Sequence, residues 1–148
     1  MGEAQTMEQI RAAEEAAEAA RRKAELKKQY DAVRASGNEV QVLGALIQLE
    51  AGNQPYEGQL AVGAVVMNRV RSAAYPDNIY SVIYASGQFT PAMSGKVDRV
   101  LASGNVRESC IKAAEEAIAG NTNVGDALYF RRDKGTREGI VIGKQVFW

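Results

Sequence analysis

The sequence has no histidine, one cysteine, three prolines, one tryptophan and no net charge. Each shortage excludes chemistry. Without an imidazole there is no Ser-His-Asp or Cys-His centre, and zinc sites that use His are excluded. A single thiol, Cys110, makes neither an internal disulfide nor a thiolate cage. The 18 basic and 18 acidic side chains cancel, which gives no support for a nucleic-acid partner. The clusters Arg21-Arg22-Lys23 and Arg131-Arg132 are too small and too balanced by acids to change that. No stretch approaches the roughly 18 apolar residues of a membrane span. The first ten residues lack the apolar run of a secretory signal, so the expectation is a cytosolic protein or a trimmed piece of an exported one. Proton chemistry is left to carboxylates, Tyr, Lys or Cys, and nothing in the composition requires a metal or cofactor.

What is present divides in two. Residues 1–36 are rich in Ala, Glu, Lys, Arg and Gln, a strong helix-forming mixture. Glu8–Arg11, Glu18–Arg22 and Glu25–Lys28 fall at i,i+3 or i,i+4 spacing. Ile10, Leu26, Tyr30 and Val33 are too few for a heptad seam. The expectation is a solvated helical spacer, with a coiled-coil or docking helix for a protein partner as the alternative. Ser36-Gly37-Asn38 is expected to end it, Asn38 capping the next helix.

Residues 37–148 hold most of the large apolar side chains. Val40, Leu43, Ile47 and Glu50 recur on one helical face, and Gly52 is placed to stop that helix. Gln54-Pro55-Tyr56-Glu57 is a turn that starts a second helix running to about Arg71. That helix is apolar almost all round, as a buried central helix is. Tyr75-Pro76-Asp77-Asn78 is a turn, with Asp77 a turn or N-cap residue, followed by the apolar run Ile79 to Tyr84. Residues 92–106 read as loop. A third long helix spans about Arg107 to Ala119 and buries Cys110. Ala127–Phe130 and Gly139–Trp148 are rich in β-branched and aromatic residues and are expected to pair as a terminal hairpin. Helices followed by a small sheet make an α+β fold.

Glu50 is the most informative residue, because it continues an apolar stripe where a carboxylate does not belong. It is either paired, with Arg69 for example, or holds its proton more tightly because of burial. A buried carboxylic acid beside a cleft is what protonation of a leaving-group oxygen requires. The nearest carboxylates in sequence that could complete a two-acid hydrolase are Glu57 and Glu39, both of which also suit a helix first turn. Asn68, in an apolar helix, either braces a loop or meets a ligand. Gln88-Phe89 places an amide beside an aromatic ring, which suits a sugar, and is equally ordinary packing. Tyr129, Phe130, Phe147 and Trp148 read first as hairpin packing.

The string Leu46-Ile47-Gln48-Leu49-Glu50-Ala51-Gly52-Asn53-Gln54-Pro55-Tyr56-Glu57-Gly58-Gln59 runs on into Ala61-Val62-Gly63-Ala64-Val65-Val66-Met67-Asn68-Arg69-Val70. With Tyr75-Pro76, Gly87-Gln88-Phe89-Thr90-Pro91, Ala127-Leu128-Tyr129-Phe130 and Ile142-Gly143-Lys144-Gln145-Val146-Phe147-Trp148, it resembles the catalytic domain of SleB-type cell-wall hydrolases, the spore cortex-lytic family. The resemblance covers residues 40–148 and departs from the family pattern at Gln54, usually an acid, and Gln145, usually a His. It implies a lysozyme-like peptidoglycan-cleaving domain over residues 37–148, with residues 1–36 as linker. It also implies Glu50 as the catalytic acid of a lytic transglycosylase acting between N-acetylmuramic acid and N-acetylglucosamine. Gln88, Phe89, Asn68 and Tyr129 are then the expected glycan-contacting residues, peptidoglycan strands the partner, and the cell wall or spore cortex the place of action. A hydrolytic muramidase and a non-catalytic glycan-binding module are the alternatives.

Overall fold

The computed structural model describes residues 6–35, 38–85 and 88–148, with only the backbone described for residues 22, 23 and 25–35. The expected helix end at Ser36-Gly37 and the side chains of Leu26, Tyr30 and Val33 therefore lie outside the described residues. The chain runs α1 (Met7–Ala35), α2 (Glu39–Ala51), α3 (Tyr56–Arg71), α4 (Ile79–Tyr84), α5 (Thr90–Met93), α6 (Lys96–Ser103), α7 (Glu108–Ile118), then β1 (Phe130–Arg132), β2 (Ile140–Ile142) and β3 (Gln145–Phe147). Helices come first and a small sheet last, as the order of sequence patterns predicts. No helix among the described residues is long and apolar enough to cross a membrane.

The core is a block of α2, α3 and α7. Val42, Leu43, Leu46 and Ile47 of α2 meet Ala61, Val62, Val65 and Val66 of α3, all essentially without solvent contact. Burying each of the Val, Leu and Ile side chains among these is worth about 1.5–3 kcal/mol. The helices approach closely because small residues face one another. A Cβ on Gly63 would stand 3.0 Å from Cβ of Ala117 and 3.1 Å from Cδ1 of Ile47. Cys110 is fully buried on the inner face of α7, as its apolar surroundings predict.

Four local expectations are corrected. Asn38 precedes α2 but its side chain makes no capping bond. Asn78, not Asp77, caps α4, its Oδ1 accepting from the Ser81 amide at 2.7 Å. Residues 92–106 are not loop: α6 fills much of that stretch with Val97 fully buried against the core, so its glycines and serines mark the ends of short helices. The sheet order is β1-β3-β2, not a simple hairpin of the two aromatic segments. Residues 140–147 fold back on themselves, because Gly143 takes φ +57° and permits a two-residue turn with Lys144. β1 then pairs with the other edge of β3, antiparallel, with Phe130 opposite Phe147 and Arg132 opposite Gln145.

Candidate active site

Glu50 sits in the last turn of α2, where the apolar stripe of that helix reaches the surface of the core. It is half-buried. Burial pushes its pKa up from the ordinary 4.5, and burial is the one cause acting on it. The alternative pairing with Arg69 is not made. Among the described residues the carboxyl group has no hydrogen-bond or ion-pair partner, so nothing compensates a charge there. Such a group holds a proton to higher pH than an exposed glutamate.

Glu50 opens onto a cleft of about 350 Å³. It is lined by Gln88, Phe89 and Thr90 at the start of α5, by Phe130, Arg131 and Arg132 of β1, by Gln145 of β3 and by Arg69 of α3. Glu50 is the one carboxylate among these residues. Glu57 is exposed in the first turn of α3 and does not line the cleft, and Glu39 lies in the first turn of α2, at the opposite end of that helix from Glu50.

Arg69 ties parts of the lining together. It is 5% exposed, and its Nε donates to the Leu128 carbonyl at 2.8 Å while Nη1 donates to Oε1 of Gln88 at 3.1 Å. Its guanidinium lies 5.1 Å from the ring centres of both Tyr75 and Phe89 and 5.8 Å from that of Tyr129. Burial lowers its pKa, yet an arginine stays cationic under ordinary conditions. The sequence offered Arg69 only as a possible partner for Glu50; its role in holding Gln88, Phe89 and Leu128 together needed the third dimension.

The sheet is tied to the helices by side chains that reach backbone groups far away in sequence. Gln145 donates from Nε2 to the Glu50 carbonyl at 3.3 Å, across 95 positions, and its Oε1 is buried without a partner among the described residues. Gln54 accepts the Lys144 amide at 3.1 Å, which holds the β2–β3 turn against the start of α3. The two positions that depart from the resembled pattern are thus both seams between sheet and helices.

The residues expected to contact a ligand divide. Gln88 and Phe89 share the cleft with Glu50, Gln88 exposed and Phe89 almost fully buried as wall. Asn68 does not line this cleft. Its amide donates to the carbonyls of Gly125 at 2.9 Å and Ala127 at 2.8 Å, so it braces the loop that leads into β1. Tyr129 is outside the cleft lining, 45% exposed, and stacks on Trp148 with ring centres 5.6 Å apart. A hydrogen bond with Tyr129 also raises the pKa of Tyr75. Arg131 and Arg132, which offered no nucleic-acid signal in the sequence, line the groove beside Glu50.

Residues 53–147 match the family described as Cell Wall Hydrolase, a span that begins just after Glu50. The spore cortex-lytic enzyme of Bacillus cereus is 34% identical over 120 residues, covering 76% of this chain and 44% of that protein. The chain therefore spans less than half the length of that curated relative. The catalytic domain of the Bacillus cereus SleB protein superposes with a TM-score of 0.59 at 33% identity, covering 75% of this chain and 89% of that one. The catalytic domain of the germination-specific lytic transglycosylase SleB from Bacillus anthracis gives 0.58 at 31% identity, covering 74% and 93%. The lysozyme-like α+β architecture is common to all three.

Proposed function

The chain belongs to the cell wall hydrolase family, and from that premise we propose that it is a peptidoglycan lytic transglycosylase with Glu50 as its single acid and base. The reading is carried by one observation: an uncompensated, half-buried carboxyl group stands in a cleft lined by no second carboxylate among the described residues. Glu50 enters the reaction protonated. It gives its proton to the glycosidic oxygen as the bond from C1 of N-acetylmuramic acid to that oxygen breaks. The resulting carboxylate then takes the proton of the muramyl 6-hydroxyl as that oxygen bonds to C1. The product is a 1,6-anhydro end, no water is consumed, and Glu50 is restored to its starting state.

A hydrolysing muramidase with two carboxyl groups needs a second one across the bond to activate water or act as nucleophile. Glu57 is exposed and outside the cleft, which favours the intramolecular route. Gln88 and Phe89 offer the sugar a polar rim and an apolar wall. Residues 1–36 serve as a spacer or a docking helix for a protein partner, and the site of action is the cell wall or the spore cortex. The test is digestion of purified vegetative wall and of cortex, followed by mass spectrometry of the released ends. Anhydro-muramic ends, lighter by one water, are expected. Reducing muramic ends alone would reject the mechanism. An inactive wild type that still sediments with insoluble wall would leave a binding module.

A further inference from the structure

Proton transfer at Glu50 leaves a second property of the groove unused. Three guanidinium groups, those of Arg69, Arg131 and Arg132, line it. Two are occupied. Arg69 is committed to Leu128 and Gln88. Arg131 donates to Oγ1 of Thr136 at 3.4 Å and lies 5.6 Å from the ring centre of Trp148. Arg132 is exposed and has no hydrogen-bond, ion-pair or ring partner among the described residues. The acids near it in sequence do not serve it: Asp133 accepts the Gly135 amide at 2.9 Å, and neither Asp133 nor Glu138 lines the groove.

The register of the sheet fixes where Arg132 stands. It is opposite Gln145, whose amide reaches the backbone of Glu50. Residues paired across a ladder share a face, so Arg132 projects from the side of the sheet that meets Glu50. Arg132 makes no ion pair with Glu50. A free guanidinium presents forked donors that match a carboxylate. Sugar hydroxyls and acetamido groups, being neutral, do not need a cation.

We infer that Arg132 receives a carboxylate carried on the C3 substituent of the muramyl residue, making the groove selective for anionic over neutral glycan. The inference rests on the glycan reading above. Two sources supply that group: the lactyl carboxylate itself in peptide-free strands, and the carboxylates of an attached stem peptide.

The experiment titrates full-length Glu50→Gln, chosen so that strands stay intact, with short alternating N-acetylglucosamine–N-acetylmuramic acid oligomers followed by calorimetry. Three forms are compared: with stem peptide, with free lactyl carboxylate, and with that carboxylate converted to a methylamide. A charged form is expected to bind about tenfold tighter than the methylamide, with the difference shrinking as salt rises. The tighter of the two charged forms identifies the source. Adding Arg132→Gln is expected to abolish the difference while leaving methylamide binding unchanged, and Arg132→Lys to retain part of it. Equal binding of charged and neutral strands, or equal weakening of all three by Arg132→Gln, overturns the inference and leaves the glycan reading standing. Absence of binding to every form overturns both. Because no turnover is needed, failure of the transglycosylase step is read separately from the ends of a wild-type digest.

Discussion

The helical block and the sheet hold together by different means. α2, α3 and α7 interlock through Gly63, Ala113, Ala117 and fully buried Leu46 and Ile47, with the helices close enough that one added methyl group would crowd its neighbours. The sheet has three strands of three residues each; β1 and β2 are mostly exposed, while Val146 and Phe147 of β3 are buried. It is fastened to the helices by directional bonds from Gln54, Asn68, Arg69 and Gln145 to distant backbone groups, along with the buried Phe147. The acid thus stands on an element fixed by packing, whereas the sheet beside it relies on polar contacts as well as on Phe130, Ile142 and Phe147 packed against the core. Substitutions in the first region should act on stability as a whole, and substitutions in the second on the groove.

The largest expected effect breaks the chemistry and spares both regions. Glu50→Gln should lower turnover by about 10²- to 10⁴-fold with no loss of folded structure; a decrease below tenfold, measured by release of muramic ends, would place the acid elsewhere. Next, Leu46→Ala should cost about 3 kcal/mol in urea unfolding, with a single transition for the whole domain. A cost under about 1 kcal/mol would mean that the helical block is not the principal core. Asn68→Ala should cost about 1–2 kcal/mol, with hydrogen-exchange protection lost chiefly in residues 125–128. Weaker glycan binding at unchanged stability would instead make Asn68 a ligand contact.

The smallest effect is on pH dependence. The folded state raises the pKa of Glu50 above its ordinary 4.5. Folding is therefore favoured relative to the charged group below that value, and the contribution is lost as pH rises through the folded pKa. Glu50→Gln, which cannot ionise, should match wild type in melting temperature at pH below 4.5 and exceed it at neutral pH. Equal curves across that range would show that Glu50 is solvated. Turnover should fall over the same rising limb, since the reaction begins with the protonated acid.

Glu50 was legible in the sequence because it interrupts a helical stripe, and that signal needs only local periodicity. α2, α3 and α7 were legible for the same reason. The shorter α5 and α6 were not, because Gly95, Gly104, Ser94 and Ser103 lie at their ends and give the stretch the composition of a loop. The central position of β3 was also hidden: nothing in a three-residue strand states which neighbour it pairs with, or that Phe130 would stand opposite Phe147 with their rings in contact. Arg69, Arg132 and Gln145 carried no periodic signal at all. Their roles arise from contacts between segments dozens of residues apart.

The Gln145–Glu50 bond joins positions separated by 95 residues. Its two partners are made at different times as the chain is extended from its N-terminus. A growing polypeptide therefore carries its acid long before it owns the opposite side of the groove. The proton donor we propose is thus made first, and the groove around it is complete only once β3 docks beside α2.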